Sequence, residues 1–365
     1  MEKYDHTRSV ASELSPDFKR ILEAGNSAPS GENCQPWRFL VRGEVIEVHL
    51  RPERDQSAYS WGQRASYTAC GAVIENMVVA ASAEGYRADV AYFPDGKDVQ
   101  YVADVSLRKD TSVQPDPLAA FVMKRVTNRK PYAKEALAES ERRALYAAAE
   151  AAHGRLALAE SREDLDRLGR VGSTNEEVML ANRSLHRFFF SHVSWTKQED
   201  ERRKVGFYIE TLELPPPAKV LFRVFRHWPL MRLLAALGFN RVVAAQNAAV
   251  NASASAIGAL TISGTEPLDF VKTGRAMERL WLTATSLGLS LQPLTGVLFF
   301  KLNLDGGEEH GFSLREQKLI TKAYQDASQV FQANGAHIAF MFRVGRGDAP
   351  SAQAIRFPLT ETEAG

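Results

Sequence analysis

The chain has 365 residues, enough for two average domains or one large one. Its 45 Lys and Arg against 44 Asp and Glu leave a formal net charge of +1, which argues against a dedicated nucleic-acid binder and against an acidic disordered chain. Two cysteines, Cys34 and Cys70, exclude a disulfide framework or a cysteine-rich zinc module, and they fit a reducing compartment. The first twenty residues carry charges throughout, with no apolar core of a secretory signal. No run approaches ~18 uncharged apolar residues, so no transmembrane helix is expected.

Residues 15–28 read as a helix, with Ser15 as N-cap, Pro16 in the first turn, and Phe18, Ile21 and Leu22 at apolar spacing. An irregular loop follows, then strand-like runs at 39–41 and 45–50. Residues 71–85 are apolar almost all round, the pattern of a buried helix. Strands are expected at 90–93 and 101–107, and long helices at 136–152 and 163–185. Residues 195–240, with the proline run 215–217, read as irregular. Within them, 219–238 mixes apolar residues with Arg223, Arg226 and Arg232. This stretch reads as an amphipathic helix over a core or pocket, or as a membrane-surface helix, interrupted at Pro229. A strand at 254–263, helices at 268–287 and 313–333, and a strand at 337–344 complete the chain.

An internal similarity stands out. GAVIENMVVAASAEG (71–85) aligns without a gap to GRAMERLWLTATSLG (274–288), matching Gly71 to Gly274, Glu75 to Glu278, Ala81 to Ala284 and Gly85 to Gly288. Two copies of one half in a single chain would form a fused pseudo-dimer, since homodimers commonly have two-fold symmetry.

The loop 28–39 (APSGENCQPWRF) carries the strongest chemical signal. Pro29, Gly31 and Pro36 shape the backbone, Ser30, Asn33 and Gln35 offer donors and acceptors at close spacing, and Trp37 anchors them. Its alternative reading is a well-packed turn before a strand. The pattern A-P-S-x-x-N-x-Q-P-W-x-F resembles the flavin-contacting loop of the FMN-dependent nitroreductase family, and the repeat resembles its long, internally duplicated (Acg-like) branch. The resemblance covers most of the chain. It implies an α+β nitroreductase-like fold of two pseudo-repeated halves, residues 1–115 and 116–365, with a lid-like insertion at 188–240.

Three further segments resemble family elements. KRVTNRKPY (124–132) resembles an R-x-S-x-R-x-F motif, which implies that Arg125 and Thr127 hold the FMN phosphate and that Arg129 lies by the flavin pyrimidine edge. Residues 288–296 resemble the segment whose backbone faces flavin N5, implying roles for Leu294, Thr295 and Gly296. The C-terminal strand and tail imply a phosphate role for Arg356, with Arg346 as a weaker companion. One FMN is thus expected between the halves: the loop comes from the first, the arginines from the second. The mirror site is expected to be degenerate, because neither residues 7–9 nor the stretch around 244–255 carries the matching motif.

The resemblance implies an oxidoreductase that passes hydride through the flavin to or from a small organic substrate (nitro, quinone or specialised metabolite), with NAD(P)H as reductant. The alternative is a non-catalytic FMN-binding protein with an occluding lid. No catalytic side chain and no metal site are expected. His192, His227, His310 and His337 are scattered, and packing suits Cys34 better than redox chemistry. Because the dimer interface would be internal, a monomer fits, and the expected location is the cytoplasm.

Overall fold

The computed structural model describes residues 14–57, 59–307 and 311–362. In chain order these form α1 (Pro16–Asn26), β1 (Trp37–Arg42), β2 (Val45–Leu50), α2 (Arg64–Ala83), β3 (Tyr86–Tyr92) and β4 (Tyr101–Lys109). Then follow α3 (Glu139–Ala151), β5 (Arg155–Ala159), α4 (Arg162–Ala181), α5 (Arg183–Ser191), β6 (Val193–Ser194), α6 (Lys197–Arg203) and β7 (Phe207–Tyr208). The chain continues through α7 (Pro216–Phe225), α8 (Trp228–Ala236), α9 (Phe239–Asn251), β8 (Ala256–Ile262), α10 (Pro267–Ser286) and β9 (Ser290–Pro293). It ends with α11 (Gly296–Asp305), α12 (Leu314–Val330), β10 (His337–Gly345) and α13 (Leu359–Thr362).

Two antiparallel four-stranded sheets carry the α+β fold. Their orders are β1-β2-β4-β3 and β5-β8-β10-β9. Matching β1 to β5, β2 to β8, β3 to β9 and β4 to β10 superposes the two topologies, with α2 and α10 each in the second-to-third connection. The chain is therefore two-halved, and all four strands of the first sheet lie within residues 37–109. The second half is enlarged between β5 and β8 by α4–α9.

The halves meet where α2 crosses α10, and the crossing is reciprocal. A Cβ on Gly71 would lie 2.0 Å from Val271 O, and one on Gly274 would lie 1.9 Å from Thr68 O. Only hydrogen in place of a side chain lets the backbones approach so closely. The two glycines aligned by the repeat are thus partners in space. Ile74, Met77, Leu280, Trp281 and Ala284 pack into one core shared by both halves.

The sequence reading departs from the fold in several places. The stretch 195–240 is largely helical: Pro216 and Pro229 sit in first turns, where a missing N–H costs nothing. The long helix expected at 163–185 breaks at Asn182, whose side chain accepts from the N–H groups of Ser184 and Leu185 and so starts α5. The short extended segment expected after residues 274–288 is β9, whereas the short strand β5 has no counterpart in the sequence reading. The topological counterpart of the loop before β1 is the tight turn 152–154 before β5, not the region around 244–255, which forms α9 and the approach to β8. Residues 7–9 and His310 lie outside the described residues.

Candidate functional site

The loop between α1 and β1 is held in an unusual conformation. Glu32, Asn33 and Gln35 have φ of +44°, +54° and +50°, a left-handed region that costs non-glycine residues energy unless the surroundings impose it. Here the surroundings do. Ser30 Oγ accepts from Gln35 N–H at 2.9 Å. The Gln35 amide donates to Asn33 O and Lys204 O, and its Oε1 accepts from Phe357 N–H. The Asn33 amide donates to Lys204 O at 2.8 Å and Ile355 O at 2.7 Å. Pro29 precedes this turn, and nothing lies within 4 Å of where a Cβ on Gly31 would sit.

Two arginines of the second half converge on this loop. Arg125 Nη2 donates to Ser27 O at 2.8 Å, and Arg356 Nη2 to the same oxygen at 3.3 Å. Arg356 also donates to Ala28 O at 3.1 Å and to Asn33 Oδ1 at 2.6 Å. The structure thus brings the loop, Arg125 and Arg356 together across the halves. Arg125 Nε lies 2.8 Å from Glu278 Oε1, both side chains being almost wholly buried, yet Nε and both carboxylate oxygens have no well-aligned hydrogen bond. Arg356 has no ion pair among the described residues. Burial first, and Arg125 second, push its guanidinium down to about 9. A buried and a half-buried arginine therefore share this site with one nearby carboxylate.

The other expected site residues contact neighbours within the second half. Thr127 forms a parallel bridge to Leu291. Arg129 makes one hydrogen bond, Nη1 to Thr211 O at 3.0 Å, and lies 5.6 Å from the Phe207 ring centroid. Burial lowers it to about 10. Leu294 is buried, its N–H donating to Met341 O. Thr295 caps α11, and a Cβ on Gly296 would lie 2.2 Å from Asn175 Oδ1. Arg346 does not join the group: it pairs with Glu141 at 2.5 Å, drawn away by α3. Cys34 is buried, and desolvation raises its thiol, so it is a packing residue at neutral pH.

Sequence reasoning missed two carboxyl groups, Glu32 in the loop and Glu176 on α4. Burial raises Glu32 to about 8, with Asp55 adding repulsion, and raises Glu176 on α4 to about 7. Tyr59, whose ring stacks 4.8 Å from Phe300, feels both carboxylates and is itself raised by desolvation. Glu32 stands inside the recognised loop and could have been singled out there. Glu176 had no such signal, because a Glu on an amphipathic helix is usually solvent-facing.

Residues 204–207 cover the loop. Besides Lys204 O, Gly206 N–H donates to Glu32 O at 2.6 Å. The cavity that remains, lined by Glu32, Cys34, Arg54, His192, Val205 and Phe357, has about 170 Å³, below the usual range for ligand pockets. A larger surface hollow of about 520 Å³ lies apart from these residues, lined by 155–157 and 331–336.

Comparison with known proteins places the chain. No family model matches it. It is 26% identical over 314 residues to an uncharacterized protein, MT1398, of Mycobacterium tuberculosis, covering 83% of this chain and 42% of that one. It is 32% identical over 115 residues to "Putative NAD(P)H nitroreductase Rv3131" of the same species, covering 31% of this chain and 33% of that protein. Over about a third of its length the chain is similar in sequence to putative NAD(P)H nitroreductases. Its matches span less than half the length of these relatives. Among solved structures it is similar to the FMN-dependent nitroreductase NfnB of Mycobacterium smegmatis in complex with NADPH (13% identity, 67% of this chain and 96% of that chain, TM-score 0.36). It is also similar to a Bacteroides fragilis nitroreductase with bound FMN (11% identity, 66% and 95%, TM-score 0.34).

Proposed function

We propose that this nitroreductase relative binds one FMN in the seam between its halves and acts as an oxidoreductase on a small organic molecule. The observation that carries the reading is the Arg356 guanidinium. It belongs to the second half, is half-buried with no ion pair among the described residues, and is hydrogen-bonded to the first half's loop through Asn33 Oδ1 and Ala28 O. A partly desolvated, uncompensated cation beside a second arginine is a site for an anion. That donor set suits the phosphate end of FMN: Arg125 and Arg356 would meet it, with Thr127 from the neighbouring strand bridge. Arg129, with donors to spare, would face the flavin ring, together with the backbone of Leu294, Thr295 and Gly296. Bound FMN supplies hydride transfer at N5. The chain's own residues orient it, exclude water through segment 204–207, and present Glu32 and Glu176, whose raised pKa values let them hold protons near neutral pH. A nicotinamide dinucleotide is the proposed reductant, and a nitro or quinone compound the proposed acceptor. The shared topology and the aligned glycines support an origin by duplication.

Anaerobic reconstitution tests the reading. The purified chain incubated with FMN should turn yellow, and Arg356→Ala and Arg129→Ala should lose at least tenfold in FMN affinity. Unchanged occupancy in both variants would refute it. A second reading, an FMN-holding protein without turnover, is favoured by the seat of Lys204 O and Gly206 N–H on the loop. Flavin that binds but is not bleached by NADPH or NADH would select it.

A further inference from the structure

The insertion carries exposed apolar side chains. Val220, Leu221 and Val224 on α7, Leu233 on α8, Leu237 after it and Val242 on α9 are all exposed, Leu237 to 77%. Other large exposed hydrophobics among the described residues, such as Met123 and Leu314, stand alone. The inward faces of the same helices are already occupied: Met231 is fully buried, Phe222 lies 4.9 Å from Phe190, and Phe225 lies 4.9 Å from Phe239. These helices are therefore apolar on both sides, which a water-facing surface helix is not. Six exposed large hydrophobics concentrated within residues 220–242 mark an interaction site.

The charge around it identifies the partner. Between Glu213 and Glu266 the chain has no acidic residue, while Lys219, Arg223, Arg226, Arg232 and Arg241 lie there, in a molecule whose total charge is +1. Arg223, Arg226, Arg232 and Arg241 are exposed beside the apolar residues. Arg226 and Arg232 have no acidic partner among the described residues. No single described helix is long and apolar enough to cross a membrane. The pair α8 and α9 reaches that length and composition together but is bent by 83°. Helix α9 is also pinned to α4, with Asn240 donating to Glu177 O at 3.0 Å. The helices are thus built to lie on a surface rather than to span one.

We propose that α7, α8 and the start of α9 dock on an anionic lipid bilayer, the apolar side chains entering the headgroup boundary and the arginines meeting lipid phosphates. This inference does not depend on the flavin reading. Lys219 pairs with Glu210 and Arg241 with Glu177, but a second copy would still bring Arg223, Arg226 and Arg232 against the same three cations, which disfavours self-association through this face.

Co-sedimentation of the full chain with vesicles tests it. Binding is expected to phosphatidylglycerol–phosphatidylcholine vesicles at low salt, to weaken as salt rises, and to be at least tenfold weaker on phosphatidylcholine alone. The double variant Leu221→Glu/Leu237→Glu should lose at least tenfold, and Arg226→Glu and Arg232→Glu about fivefold or more each. Because these side chains are exposed, melting temperatures should match the wild type. The milder Leu237→Ser should still weaken binding if the double variant is unstable. No sedimentation with anionic vesicles, equal binding by wild type and Leu237→Ser, or a wild-type dimer that Leu237→Ser converts to monomer would each overturn the proposal.

Discussion

Glu278→Gln is the sharpest probe of the charge balance in the seam. The carboxylate is fully buried and lies 2.8 Å from Arg125 Nε. At an effective dielectric of about 20 the attraction is on the order of 6 kcal/mol. Desolvating both ions costs several kcal/mol each, so the intact pair adds little net stability. Breaking it is different. The variant leaves buried Arg125 beside half-buried Arg356, and an arginine cannot shed its charge at neutral pH as a carboxyl can. The expected loss is about 3–5 kcal/mol, or on the order of 5–10 °C in melting temperature. Arg125→Met should cost less, because burial already raises the Glu278 pKa and the carboxyl can take up a proton. The double variant Arg125→Met/Glu278→Met should return close to wild type. Inorganic phosphate or FMN should raise the melting temperature of Glu278→Gln more than that of the wild type, since an anion replaces the missing charge. Thermal denaturation of the four proteins with and without phosphate decides the matter. Equal melting temperatures for Glu278→Gln and wild type, or no phosphate effect on the variant, would refute the picture of an undercompensated cation pair.

Three further substitutions test how the halves and the covering segment are held. In Gly274→Ala the added methyl meets Thr68 O at 1.9 Å, and backbone cannot move aside as a side chain does, so α2 and α10 must part. A loss of about 3 kcal/mol or more is expected in chemical denaturation, and Gly71→Ala should behave alike. In Gly206→Ala the methyl meets His192 O at 2.0 Å, and φ is +87°, so residues 204–207 should lose their seat on the loop. FMN uptake followed by fluorescence quenching should then be faster than in the wild type. An unchanged rate would show that these residues do not gate the loop.

What was legible in the sequence follows from where the constraint is local. Gly71 and Gly274 could be paired because close helix crossing leaves no substitute for glycine, so both positions keep the same letter. The loop 28–39 was legible because Pro29, Gly31 and Pro36 dictate an irregular backbone within a few residues. The role of Asn33 and Gln35 was only half visible: their amides are spent on Lys204 O, about 170 residues away, and no local pattern announces that partner. Glu176 belongs to the same class, since its burial comes from elements packed over α4 rather than from its own helix. The prolines at 215–217 misled for the opposite reason. Proline breaks a helix interior but starts a helix well, and only the structure shows which side of the boundary each one occupies. Arg346 failed because a nearer carboxylate, Glu141, claims it.

The covering segment sets the terms on which any ring-shaped ligand enters. Three hydrogen bonds hold it to the loop: Asn33 and Gln35 to Lys204 O, and Gly206 N–H to Glu32 O. At about 0.5–1.5 kcal/mol net apiece they hold it shut by about 2–4 kcal/mol. That leaves about one molecule in thirty to one in a thousand open, and weakens apparent affinity by the same factor. Opening also disturbs packing beyond the loop. Phe207 lies 5.4 Å from Phe189, which in turn lies 6.0 Å from Phe222 on α7, so one ring links the inner covering segment to the outer helices. A cavity of about 170 Å³ under a segment so fastened is too small for a tricyclic ring. Ring binding therefore requires residues 204–207 to move, while the guanidiniums of Arg125 and Arg356 stay fixed by the carbonyls of Ser27 and Ala28. On the proposed flavin reading, the anion end would be preformed and the ring end made on entry.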